Sequence, residues 1–240
     1  MYACIYVCVF VCAPMPTRPP LATLRRSNAL GNVCRLDLLK NFDGTFSEGS
    51  ALNPAAFTGL RTPTIQWTYR LSDDPELLRQ YFQQHLLMDA YPMAPIPYND
   101  HSIQPGSAVV DQAYADYAPL FNAMHGAKWL LSTRPVHAPS GDVAVNIFTI
   151  GEVGSALPTL LVPVMLANST NTTRVSVALD LAPTVTELGW PQVKAVNSTV
   201  RHPGVGAWSD ITATGKVNGE WEMDVPLQEG CALVRIELHA

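Results

Sequence analysis

Three short stretches of this 240-residue chain carry side chains able to do bond chemistry: Glu48 ahead of Gly49-Ser50-Ala51, the pair Tyr69-Arg70, and the run Asn99-Asp100-His101. Hydrolysis of a glycosidic bond needs two carboxyl groups about 5 to 9.5 Å apart, one as acid and the other as nucleophile or base. Glu48 and Asp100 are the candidates for that catalytic pair. Arg70, Asn99 and His101 could hold a polar substrate. Trp67, Tyr69, Tyr91 and Tyr98 supply aromatic faces on which the apolar side of a sugar ring packs. Each has a plainer reading. Glu48 can favour a helix start, Asp100 can cap a turn and Arg70 can neutralise either. Trp67 can be core, His85 reads as a packed residue on an apolar helix face, and Asp111 and Asp116 read as solvated helix positions.

Other chemistries lack their residues. There is no GxSxG elbow, no phosphate-cradling glycine loop and no HExxH, and the six histidines are scattered singly. Cys4, Cys8 and Cys12 recur every four residues but have no fourth ligand nearby, and Cys34 and Cys231 stand apart, so no metal site and no cofactor is expected. A net charge of −5 without a basic run removes the basis for binding a nucleic-acid backbone.

The elements that must position Glu48, Arg70 and Asp100 follow from periodicity. Leu30, Val33, Leu36, Leu38 and Leu39 fit one helix face over 29–40. A strand is expected at 45–47, then Asn53-Pro54 as the start of a helix over 55–60. The β-rich run 64–69 (TIQWTY) leads to Asp73-Asp74-Pro75-Glu76, a helix start, and apolar residues at three- and four-residue steps carry that helix to Leu87. A short strand at 90–94 precedes a long loop and a helix over 108–131, interrupted or restarted at Pro119. Strands alternating with helices imply parallel pairing, with the three candidate stretches delivered to one mouth at the strand ends.

After Trp129 the pattern changes. Apolar runs at 142–150, 159–166, 174–181, 193–200, 221–227 and 232–238 are separated by Gly, Pro, Asn and Ser clusters, which predicts strands without helices. Val175, Val177, Leu179 and Leu181 alternate with polar neighbours, as do Trp221, Met223, Val225 and Leu227, the pattern of an antiparallel sandwich wet on one side. The expected fold is therefore α/β plus all-β: the last β/α units of an incomplete (β/α) barrel over 29–132, then an antiparallel β-sandwich over 133–240. Residues 1–28 form an apolar segment and a Pro-rich linker. The apolar stretch 1–12 is shorter than the about 20 residues of a membrane span and lacks a positive flank. A weak secretion signal, the tail of a longer apolar segment and a mis-assigned start all remain open for it. Asn168, Asn171 and Asn197 begin Asn-x-Ser/Thr sequons, which is compatible with glycosylation and a secreted or cell-surface location.

The runs DGTFSEGSALN (43–53), TIQWTYR (64–70), YPMAPIPYNDHSI (91–103) and YADYAPLFNAMHGAKWLL (114–131) resemble the C-terminal region of large glycoside-hydrolase-like proteins, some labelled membrane-associated, of α-galactosidase type with a (β/α) barrel and a β-sandwich. The resemblance covers about residues 29–150. It implies that Glu48 and the Asn99-Asp100-His101 loop lie on a catalytic face, that Lys128-Trp129 ends the last barrel helix, and that a carbohydrate is the partner. It also implies principal catalytic acids on upstream strands, so this chain is expected to hold an incomplete active site and to be inactive alone. The alternative is a non-catalytic secreted or surface carbohydrate-binding or interaction module; a third reading is a structural domain without a small ligand.

Overall fold

The computed structural model describes residues 26–28, 44–48, 64–67, 74–92, 108–130, 135–151, 157–167, 171–216 and 219–240. The helices expected over 29–40 and 55–60 lie outside them. The first part holds strands β1 (Arg26–Asn28), β2 (Gly44–Glu48) and β3 (Thr64–Trp67), helix α1 (Pro75–Leu87), strand β4 (Ala90–Pro92) and helix α2 (Ala108–Ala123). β1 to β4 lie side by side in chain order, all parallel. A parallel neighbour is reached only by a crossover, so α1 runs back along the sheet between β3 and β4. Its first turn therefore sits at the end of the sheet where β3 finishes.

The helix start is encoded where expected. Asp74 accepts the backbone N–H groups of Glu76 at 2.9 Å and Leu77 at 3.5 Å, and Pro75 fills the first turn, where no N–H is needed. α2 differs from its expected span. It passes through Pro119 unbroken: the N–H that proline lacks would have served Ala115, which is exposed, so water can take that carbonyl. It stops at Ala123, and Gly126 at φ +81° turns the chain. Lys128–Trp129 is thus not the end of a helix. It is strand β5, paired antiparallel with Thr149 and Phe148.

The second part is two antiparallel sheets. Its strands are β6 (Val136–His137), β7 (Val143–Val145), β8 (Phe148–Ile150), β9 (Thr159–Leu166), β10 (Thr173–Asp180), β11 (Ala195–Arg201), β12 (Ser209–Ile211), β13 (Ala213–Gly215), β14 (Glu220–Leu227) and β15 (Cys231–His239). One sheet has the order β13-β14-β10-β6, and the other β12-β11-β15-β9-β8-β5 with β7 also on β9. Val177, Leu179, Met223 and Val225 face Val162, Val164, Val234 and Ile236 in the core between them. On the outer side of the four-stranded sheet, Arg174 reaches Asp224 at 2.7 Å and Ser176 donates to Glu222 at 2.8 Å, the wet face that alternation predicts.

Two details depart from the sequence pattern. The run 142–150 is split into β7 and β8 at Asn146-Ile147, opposite Pro163 of β9. Pro163 has no N–H for the Asn146 carbonyl, and only a 3.4 Å bond from Asn146 N to Pro163 O spans the gap. The Asn146 amide turns instead to the Leu87 carbonyl at the end of α1, at 2.7 Å. A seven-residue helix, α3 (Ala182–Leu188), also stands among strands expected to have none; Asp180 accepts its first N–H, and Gly189 at φ +65° ends it.

The helix pair covers the outer face of the seven-stranded sheet. Leu78, Phe82, Leu86, Tyr117, Leu120 and Phe121 form one buried cluster with Phe148, Leu161, Cys231 and Leu233. β9 and β15 are consequently apolar on both faces, which is why TLLVPVML and CALVRIEL read as continuous runs rather than alternating ones.

Candidate functional site

The expected mouth lies where the parallel strands end. Glu48 closes β2 and Trp67 closes β3, and the two occupy one register position on neighbouring strands. Strands in a sheet are about 4.8 Å apart, so the two backbone positions are neighbours at that end of the sheet. Gln66, one residue earlier on β3, is level with Pro92 on β4. Tyr114 of α2 donates its hydroxyl to the Pro92 carbonyl at 3.4 Å, tying the start of α2 to the same end of the sheet. Tyr69, Arg70, Tyr98, Asn99, Asp100 and His101 lie outside the described residues, as does Asn168. Asn171 and Asn197 are exposed; the Asn197 amide lies 3.0 Å from Nε2 of His239.

A second polar constellation, unmarked by any motif, lies between α1, α2 and the turn that joins β14 to β15. Arg79 pairs with Glu229 at 3.1 Å. The buried Gln83 donates its amide both to the Tyr117 hydroxyl at 3.0 Å and to the Glu229 carbonyl at 2.6 Å, while its Oε1 is buried without a partner. Asp116, read from sequence as a solvated position, accepts the Gln112 amide at 2.8 Å and gives its backbone carbonyl to the Gly204 N–H. Burial pushes the Cys231 thiol up to about 12 and raises the Tyr117 phenol further, which leaves both protonated at neutral pH. Glu229 itself stands at φ +51°, next to Gly230 at +75°, in the tight turn joining β14 to β15. Sequence reasoning had no signal for this group, because its members are assembled from α1, α2 and a hairpin far apart in the chain.

A third group centres on the buried His85. His85 is 3% exposed; its Nδ1 lies 2.7 Å from the Tyr81 carbonyl, its ring packs 4.0 Å from that of Tyr81, and its Nε2 is buried unpartnered. Burial lowers the imidazole to about 4, against a smaller upward pull from the Tyr81 carbonyl. Its reading as a packed residue agrees with this environment. Asp89, at φ +50° just before β4, is raised by burial to about 8.

No family model matches the chain. No curated protein matches it either. Among solved structures it is similar to the glycoside hydrolase family 30 subfamily 8 xylanase from Clostridium acetobutylicum, with a TM-score of 0.44 and 11% identity over 88% of this chain and 52% of that one. It is also similar to the catalytic domain of the family 30 xylanase C from Talaromyces cellulolyticus, with a TM-score of 0.39 and 11% identity over 88% of this chain and 48% of that one. The chain spans about half the length of these structures. Among the described residues no group of His, Cys, Asp and Glu could hold a metal ion, and no helix is long and apolar enough to cross a membrane.

Proposed function

We propose that this chain is the C-terminal part of a glycoside-hydrolase-like, carbohydrate-active protein of barrel-plus-sandwich type, with its sugar-facing surface at the ends of β2, β3 and β4. The observation that carries the reading is the shared register of Glu48 and Trp67 at the ends of adjacent parallel strands. A carboxylate beside an aromatic ring is the pairing that glycosidic chemistry uses, one for proton transfer or attack and the other for stacking. The sequence that follows β3 and β4 carries Tyr69-Arg70 and Asn99-Asp100-His101; Asp100 is the proposed second carboxylate and Arg70, Asn99 and His101 the proposed hydroxyl ligands. The exposed sequons at Asn171 and Asn197 are in keeping with a secreted or cell-surface location. The four parallel strands among the described residues are half the number that closes a (β/α) barrel, and we expect binding from this chain but little turnover.

Calorimetric titration of the full chain with neutral xylo- and cello-oligosaccharides tests the reading. Saturable binding is expected, weakened about tenfold or more in both Glu48→Gln and Asp100→Asn, as loss of a charged hydrogen bond implies. Binding that neither substitution weakens would remove both residues from the site. If the chain does turn over a glycoside, each substitution is expected to slow it by about 10² or more; an unchanged rate would refute the assigned roles.

A further inference from the structure

The groove between the N-terminal halves of α1 and α2 is open to solvent, has a volume of about 290 Å³ and is lined by Leu78, Val109 and Ala113 on its apolar side and by Arg79, Asp116 and Glu229 on its polar side, with Gln112 and Tyr117 between. We propose that it binds a single ring of a neutral carbohydrate, as a subsite separate from the strand-end surface.

The size suits one ring, since the volume lies at the lower bound of about 300 Å³ for small-molecule pockets. Charge excludes the other simple ligands. The polar wall holds two carboxylates, Asp116 and Glu229, against one guanidinium. That guanidinium is already engaged by Glu229 at 3.1 Å and approached by Glu76 at 4.0 Å, so an anion meets net repulsion. A metal ion would have only Asp116 and the Arg79-paired Glu229, and among the described residues no group of His, Cys, Asp and Glu could hold one. What the wall has in surplus is hydrogen-bond acceptors: the carboxylate oxygens of Asp116 and Glu229 have lone pairs beyond their single partners. A ligand rich in O–H donors, uncharged, with one apolar face for Leu78 and Ala113, fits that surplus, and a sugar ring has this make-up. Gln83 holds the wall in shape by bridging the Tyr117 hydroxyl and the Glu229 carbonyl.

The groove also lies near the proposed mouth. α1 begins at Pro75, five residues after Arg70, and α2 begins at Ala108, seven residues after His101. The first turn of α1 sits at the end of the sheet where β3 finishes, so the groove and the proposed mouth share that end. A substrate several rings long can therefore meet both, so the chain is expected to favour polymers over small glycosides. The choice of a sugar rests on the function proposed above, but the groove uses neither Glu48 nor Trp67.

The test is a titration of the ¹⁵N-labelled full chain with xylohexaose and with cellohexaose, in the parent and in Gln112→Ala, Ala108→Trp and the double variant Glu48→Gln/Trp67→Ala. Saturable shifts at the amides of Gln112, Ala113 and Glu229 are expected with at least one sugar. Their affinity should drop tenfold or more in Gln112→Ala, at an exposed position that leaves the core intact, and in Ala108→Trp, which covers the mouth. The double variant should leave these shifts in place, so a failed strand-end surface and a failed groove are separable. Absence of groove shifts with both sugars overturns the proposal, as do shifts that Gln112→Ala and Ala108→Trp leave unaltered, or groove shifts produced by calcium or inorganic phosphate more readily than by either sugar.

Discussion

Asp89 and His85 are polar side chains taken out of water without full compensation, and that makes stability depend on pH in two opposite directions. Asp89 is raised to about 8 by burial, so the folded protein keeps its carboxyl protonated while the unfolded chain ionises above about pH 4. Its contribution is fully present below the unfolded value and is lost as pH rises toward 8. Asp89→Asn keeps a residue that tolerates the left-handed backbone and removes the titration. We predict that it flattens the decline between pH 4 and 8 and is more stable than the parent at pH 8 by on the order of 2 kcal/mol, measured by urea unfolding. His85, lowered to about 4, contributes stability that is present above about pH 6.5 and lost as pH falls through 4. The acid limb of the same profile should flatten in His85→Gln; an unchanged limb would mean that His85 charges freely in the folded state.

At the scale of elements, the β14–β15 turn and the strands beneath α1 and α2 make the sharper predictions. Glu229 and Gly230 both have positive φ, the backbone of a two-residue hairpin turn that prefers Asn-Gly. Glu229→Asn relieves the unfavourable backbone and loses only the half-exposed Arg79 pair, so a gain of about 0.5 kcal/mol is expected. A loss above about 1 kcal/mol would show that the Arg79 pair holds the hairpin against α1. On β9, Leu161 and Val162 point to opposite faces and are both buried, one under the helices and one in the sandwich core. Alanine at either should cost about 2 to 5 kcal/mol in thermal or urea unfolding, whereas Ser176→Ala on the wet face of β10 should cost about 1 kcal/mol or less. These strands also show what the sequence can and cannot display. β10 and β14 announce one wet face because their polar residues alternate. β9 and β15 do not announce the helices that cover them, since burial on both faces removes alternation without saying what does the burying. The Asp74-Pro75 start of α1 is local chemistry and is legible. By contrast, β1 (Arg-Ser-Asn) falls in a stretch read as linker, and α3 is too short for a helical period. The break at Asn146 depends on Pro163, a residue on another strand. The Arg79–Gln83–Glu229 group is invisible for the same reason, being made only when the hairpin meets α1.

Across the whole molecule, the helix pair and the sandwich share one buried cluster, with Phe148, Leu161 and Leu233 packed against Leu78, Phe82 and Tyr117. They are expected to unfold together. Far-ultraviolet circular dichroism and tryptophan fluorescence should give coincident thermal transitions, and Leu233→Ala should lower both; two separated transitions would contradict a common core. The same arrangement fixes the parallel sheet relative to the sandwich through α1 and α2, leaving the strand ends as the surface to be judged by binding. The decisive measurement is the position of the amide shifts when the full chain is titrated with a neutral oligosaccharide. The account predicts saturable shifts at Glu48 and Trp67, the paired ends of β2 and β3, that disappear in Glu48→Gln/Trp67→Ala. A sugar that binds the chain without moving either amide, or no binding by any neutral oligosaccharide, would contradict it.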